Sequence, residues 1–172
     1  MSNLNKHLMV ALDNYPYNME ECIEALNYAL SSESQNALAL CLMGRIYAEQ
    51  FKQYEEAKSY FQEAMAADIK MLDIYPYYIS TLIENEDYEE AHRLLEFANT
   101  LKGIPKGTIL WYKIYLAEKK GDYKTALSFI EDAICEGYNS GFITNLEEIE
   151  KRIKRKKEIK GKKKKKEKLN VS

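Results

Sequence analysis

The sequence predicts an all-α solenoid of helical hairpins. Three observations carry this. A small-x3-large-x2-small pattern occurs four times at a period of about 34 residues, and a second apolar pattern precedes each copy. Gly (7) and Pro (3) are scarce in 172 residues, which disfavours a turn-rich β protein. Spacings of three, four and seven put the pattern's residues on one helix face. Small residues at its two ends admit a neighbouring helix, and the large one fills the gap between them.

The first copy is "NLNKHLMVAL" (3–12) followed by Cys22, Leu26 and Ala29. The second is "LALCLMGRIY" (38–47), with Leu40, Met43, Gly44 and Tyr47, followed by Ala57, Phe61 and Ala64; it carries one extra residue before Ala57. The third is "YPYYISTLI" (75–83), with Tyr75, Tyr78, Ile79 and Leu82, followed by Ala91, Leu95 and Ala98. Pro76 fits there if Asp73 is the N-cap, because proline is accepted in the first helical turn. The fourth is "ILWYKIYLA" (109–117) followed by Ala126, Ile130 and Ala133. The words "QYEEA", "DYEEA" and "DYKTA" end at Ala57, Ala91 and Ala126, which are 34 and 35 residues apart. A helix, a short turn and a second helix at this period is a hairpin solenoid. An antiparallel bundle that repeats by chance is the competing arrangement.

Past the repeats, Ile143, Leu146, Ile149 and Ile153 keep a helical stripe. They predict a capping helix over 141–156, with cations at its C-terminal end where the helix dipole favours them. Residues 157–172 lose all apolar periodicity and are expected to be disordered.

The arrangement L-x2-M-G-x2-Y (Leu40, Met43, Gly44, Tyr47) followed by A-x3-F-x2-A (Ala57, Phe61, Ala64) resembles the tetratricopeptide repeat (TPR). "KKGDYKTALSFIEDAI" (119–134) is similar to that family's second-helix segment. The resemblance covers about four repeats and defines a repeat domain over 1–140. The proline that usually ends each repeat is absent. The resemblance implies a right-handed superhelix whose first helices line a concave groove, and binding of an extended peptide or helix in it. The groove positions it implies include Leu38, Leu42, Arg45, Tyr77, Ser80, Glu84, Trp111, Tyr112 and Tyr115, with Cys41 beside them. Tyr and Trp give large contact area at low entropic cost. A subset of the family clamps the carboxylate end of chaperones with Lys, Asn and Arg. The matching places here read His7, Ala11, Leu42, Asp73 and Tyr77. One repeat along they read Cys41, Arg45, Tyr77, Thr108 and Tyr112. Neither frame has the required cation cluster, so that partner is not expected.

The formal charge of −2 divides sharply. Residues 151–172 hold 13 Lys/Arg against Glu158 and Glu167, about +11, and the rest carries about −13. The run Lys162, Lys163, Lys164, Lys165 and Lys166 is expected to contact a polyanion such as nucleic acid through counterion release, to serve as a nuclear address in a eukaryote, or to act as a solubilising end. No aromatics interleave with the lysines, so base stacking is not expected.

No signal peptide or membrane span is read from the sequence. A cytoplasmic protein is expected, or a nuclear one in a eukaryote. The cysteines (Cys22, Cys41, Cys135) are read as reduced thiols packed as small apolar groups. His7 and His92 lie in different hairpins, and no HExxH, GxSxG, P-loop or GxGxxG string occurs. The expectation is therefore a non-catalytic adaptor or scaffold with no cofactor, which binds a protein partner. A nucleic-acid-associated protein acting through the tail and a structural subunit of a larger assembly are the alternatives.

Overall fold

The computed structural model describes residues 6–135 and 140–169, with side chains described through Lys163. The described residues are helical and strand-free, an all-α fold compatible with a helical solenoid. The helices are α1 (Lys6–Asn14), α2 (Met19–Ser32), α3 (Ala37–Ile46), α4 (Tyr54–Ala67), α5 (Ile74–Glu84), α6 (Tyr88–Thr100), α7 (Lys106–Lys119), α8 (Tyr123–Cys135) and α9 (Ser140–Leu169). The chain divides into two compact units, Met1–Asp87 and Tyr88–Ser172. The sequence reading drew one repeat domain over 1–140. The division between these units falls inside the third repeat, after α5.

In the first unit each helix packs on the next, and α3 also touches α5. Contact between alternate helices belongs to stacked hairpins rather than to a simple chain of neighbours. In the second unit α6 packs on α7, α7 on α8 and α8 on α9.

All twelve residues of the repeated pattern are fully buried. Cys22, Leu26 and Ala29 on α2, and Ala57, Phe61 and Ala64 on α4, are at 0% exposure. So are Ala91, Leu95 and Ala98 on α6, and Ala126, Ile130 and Ala133 on α8. Each large member contributes about 1.5–3 kcal/mol by leaving water. Gly44 shows how tightly α3 and α4 approach: a Cβ there would meet Phe61 Cδ1 and Cε1 at 3.0 Å. Phe61 in turn stacks on Tyr78 of α5, with ring centroids 5.4 Å apart.

Helix ends follow local chemistry. Asn18 and Asn36 accept hydrogen bonds from Glu21 N and Ala39 N, capping α2 and α3. Asp122 Oδ1 accepts from Thr125 N at 3.2 Å at the start of α8. Asp73 does stand at the N-cap of α5, which places Pro76 in the first turn, although its side chain makes no capping bond.

The extra residue of the second repeat has a definite place. Tyr47–Phe51 forms a π-helical turn that continues α3, which takes up one residue without disturbing Ala57. The hairpin turn then closes through Lys52, at φ 57°. Glu86 (φ 65°) and Gly121 (φ 70°) hold the same conformation one and two repeats later. Only Gly121 takes this left-handed backbone without cost.

Three expectations are corrected. Leu42 is 2% exposed and belongs to the core with Leu8, Ala11 and Ile46, so it does not line an open groove; Cys41 beside it is equally buried. α3 is covered on most sides, which leaves few of its residues outward. Cys135 is exposed, because it lies two residues past Ala133 and off the buried stripe, whereas Cys22 and Cys41 are buried. Burial pushes the Cys41 thiol up to about 12; the charge of Arg45 opposes this, and those of Asp73 and Glu49 add to it.

The third correction concerns 157–169; residues 170–172 lie outside the described residues. Helical backbone runs unbroken from Ser140 to Leu169 rather than ending at 156. Lys, Arg and Glu are good helix formers, the segment lacks proline, and its first half is pinned by packing. The side chains of Lys164, Lys165 and Lys166 lie outside the described residues.

Replacing Lys52 by Gly relieves a left-handed Cβ. We expect the variant to gain about 0.5–1 kcal/mol in chemical denaturation. An unchanged or lowered midpoint would contradict that reading of the turn.

Candidate functional site

The first unit gathers one polar cluster on its first-helix side. Arg45, in the last turn of α3, lays its guanidinium over the Tyr77 ring of α5 at 3.9 Å and over the Tyr15 ring at 4.7 Å. Its Nε donates to Glu49 Oε1 at 3.4 Å, one helical turn on. The Tyr15 hydroxyl donates to the other oxygen of Glu49. Burial, then the hydrogen bond to Glu49 and that residue's charge, push the Tyr15 phenol up to about 12; Arg45 works the other way. The phenol therefore stays protonated and keeps donating. A guanidinium between two rings is worth about 0.5–2 kcal/mol per ring, depending on solvent exclusion.

Of the residues expected here, Arg45 and Tyr77 come together. Leu38 is half-buried against the core of the unit. Ser80 and Glu84 are half-buried further along α5. Tyr15 and Glu49 were not singled out in the sequence. Glu49 carried a signal, since it lies four residues after Arg45 on the same helical face. Tyr15 carried a subtler one: it lies 34 residues before Glu49, one repeat period.

In the second unit Trp111, Tyr112 and Tyr115 form an aromatic group on α7. Trp111 meets Tyr112 edge-on at 4.9 Å and Tyr115 at 5.1 Å. Lys119 Nζ stands 5.4 Å from the Tyr115 ring centre. Trp111 also packs against the core built on Ile114, Ala126, Ile130 and Leu146. It is thus a wall of that core as much as a surface group.

The chemistry of greatest consequence in the second unit was missed in the sequence. Glu118 of α7 has a side chain only 5% exposed. It accepts two hydrogen bonds from Arg152, Nε to Oε1 at 3.0 Å and Nη2 to Oε2 at 2.7 Å, and a third from Lys156 Nζ at 2.7 Å. Lys160 then reaches Gly121 O at 3.2 Å and the Tyr123 ring at 5.3 Å. Arg152, Lys156 and Lys160 are four residues apart, so one stripe of α9 makes all these contacts. Leu146, Ile149 and Ile153 are buried beside it. Three cations of the basic stretch therefore form a docking strip. Burial alone would raise the Glu118 carboxyl, and the C-terminal end of α7 is a poor place for an anion. The hydrogen bonds of Arg152 and Lys156 outweigh this and hold it below the usual carboxylate range.

The second unit also has a cleft of about 190 Å³ whose lining includes Leu95 and Glu96 of α6, Lys113 and Leu116 of α7, and Phe129 of α8. Lys113 pairs with Glu96 at 3.0 Å across it. Among the described residues, no group of three or more His, Cys, Asp and Glu side chains is placed to hold a metal ion. No described helix is long and apolar enough to cross a membrane.

A carboxyl lowered in the folded state stabilises above its unfolded pKa, near 4.3, and that contribution disappears as pH falls through the folded value. We expect Glu118→Gln to cost about 1–3 kcal/mol at pH 7. The difference from the native protein should shrink below about pH 4 in urea titrations. A difference independent of pH would show that the ionised carboxylate is not what holds α9.

Compared with known proteins, the chain matches no family model, and no curated protein matches it.

Proposed function

We propose that the chain is a non-catalytic adaptor of the tetratricopeptide kind, which holds a protein segment against the first-helix face of its hairpins. The observation that carries this is the ordered cluster of Tyr15, Arg45, Glu49 and Tyr77. Four polar and aromatic side chains from three parts of the first unit are fixed in place. Side chains ordered in advance lose little entropy on binding. Tyr and Arg are also the residues that anchor interfaces most often.

The cluster selects a kind of partner. Arg45 is already shared between Glu49 and two rings, so it is not a free clamp for a terminal carboxylate. This agrees with the absence of a chaperone-type cation set. The Tyr77 ring suits an apolar or aromatic side chain, and Ser80 one turn along α5 suits a backbone group.

The test uses the full chain and a Tyr77→Ala variant in affinity capture from native extract, followed by hydrogen exchange on the complex. We expect a partner lost at least tenfold in the variant, with protection confined to α3 and α5. Protection on the outer residues of α4 instead, with capture unaffected by the variant, would contradict the proposal.

A further inference from the structure

The exposed cations of α9 form a surface separate from that cluster. Arg152, Lys156 and Lys160 are spent on docking. Lys151, Arg155, Lys157, Lys162 and Lys163 are exposed. At about 100° per residue these five spread around well over half the helix circumference. Lys151, Arg155 and Lys162 share the side turned away from the docking strip. Past Lys160, the last residue with a described contact to α7, α8 or their turn, helical backbone continues to Leu169 through the lysine run. A Cβ at Gly161 would meet nothing within 4 Å, so that side of the helix is open.

The distribution discriminates among anionic partners. A membrane surface contacts one side of a helix and wants apolar residues between the cations. Among the described residues of the basic stretch, Ile159 is the exposed large apolar one. A groove with phosphates on both walls contacts a helix on several sides at once. The major groove of B-form DNA, about 12 Å wide, admits an α-helix. The A-form RNA major groove is too deep and narrow for that.

We propose that the basic end of α9 is a helical arm for double-stranded DNA. Residues past Lys160 enter the major groove, Lys151 and Arg155 meet the flanking phosphates, and the Glu118 contacts fix the root. Recognition is of the backbone and groove rather than of sequence.

The experiment measures binding of the full chain to a fluorescent 20-base-pair DNA across a salt series. Duplex RNA, polyglutamate and phosphatidylserine vesicles are run in parallel. Two variants carry the test. Gly161→Pro keeps every charge but breaks the helix beyond its anchored part. Lys151→Gln/Arg155→Gln/Lys162→Gln removes three outward cations, and Lys52→Gln/Lys70→Gln/Lys102→Gln is its equal-charge control. Circular dichroism checks that each variant keeps its fold. We expect DNA to bind better than the other three probes, and Gly161→Pro to weaken it about tenfold. The outward triple variant should lower the salt slope by about 2–3, and the control should leave it unchanged. The proposal is overturned by no salt-dependent DNA binding, by equal or tighter binding of RNA, polyglutamate or vesicles, by Gly161→Pro binding like the native chain, or by equal effects of the two triple variants.

Discussion

Helices can pack this closely only where small side chains let them. Each second helix, α2, α4, α6 and α8, places a small residue at both ends of a buried stripe and one large residue between them. The outcome is complete burial at Cys22, Ala57, Ala91 and Ala126 and at their partners. Other features follow from that constraint. Gly44 is required because Phe61 comes so near α3. Tyr75 is wholly enclosed, and its hydroxyl donates to Ile69 O at 2.6 Å. The left-handed residues Lys52, Glu86 and Gly121 recur because the second, third and fourth hairpins turn at the same point, which brings their small residues into register.

Polar chemistry is laid over this frame. In the first unit Lys58 joins Glu55 at 3.1 Å and Asp87 at 2.7 Å, and Asn85 donates to Glu55 at 2.7 Å, tying α4 to the end of α5. Glu55 in this network is largely exposed, so its pair contributes little. Glu118 is different, since its burial makes the loss of its cations expensive. Acidic body and basic end are thus coupled at one carboxylate. Part of the charge that looks like a loose tail belongs to the fold, and the remainder is left available for a partner.

The all-α class, the hairpin period and all twelve core positions were legible in the sequence because burial imposes a strict spacing on residue size. The extra residue before Ala57 was legible as a count, though not as a π-helical turn. Leu42 and Cys41 were misread, because an apolar residue on a first helix can face the core or the open side, and hydropathy does not separate the two. Helix beyond residue 156 was missed because apolar periodicity reports packing, not helical propensity. The Arg152–Glu118 and Tyr15–Glu49 pairs were missed although both join residues 34 apart. In a repeat, complementary polar residues one period apart are candidates to meet, and scanning for them would have found both.

The central claim is that the small positions of the repeated stripe determine the packing. Equilibrium denaturation of Ala57→Leu beside Ala66→Leu tests it most directly, because Ala57 is fully buried and Ala66 is an exposed alanine on the same helix. Overpacking should cost Ala57→Leu about 1–3 kcal/mol or more, and Ala66→Leu should stay within about 0.5 kcal/mol of the native chain. Equal stability of the two variants would contradict the claim.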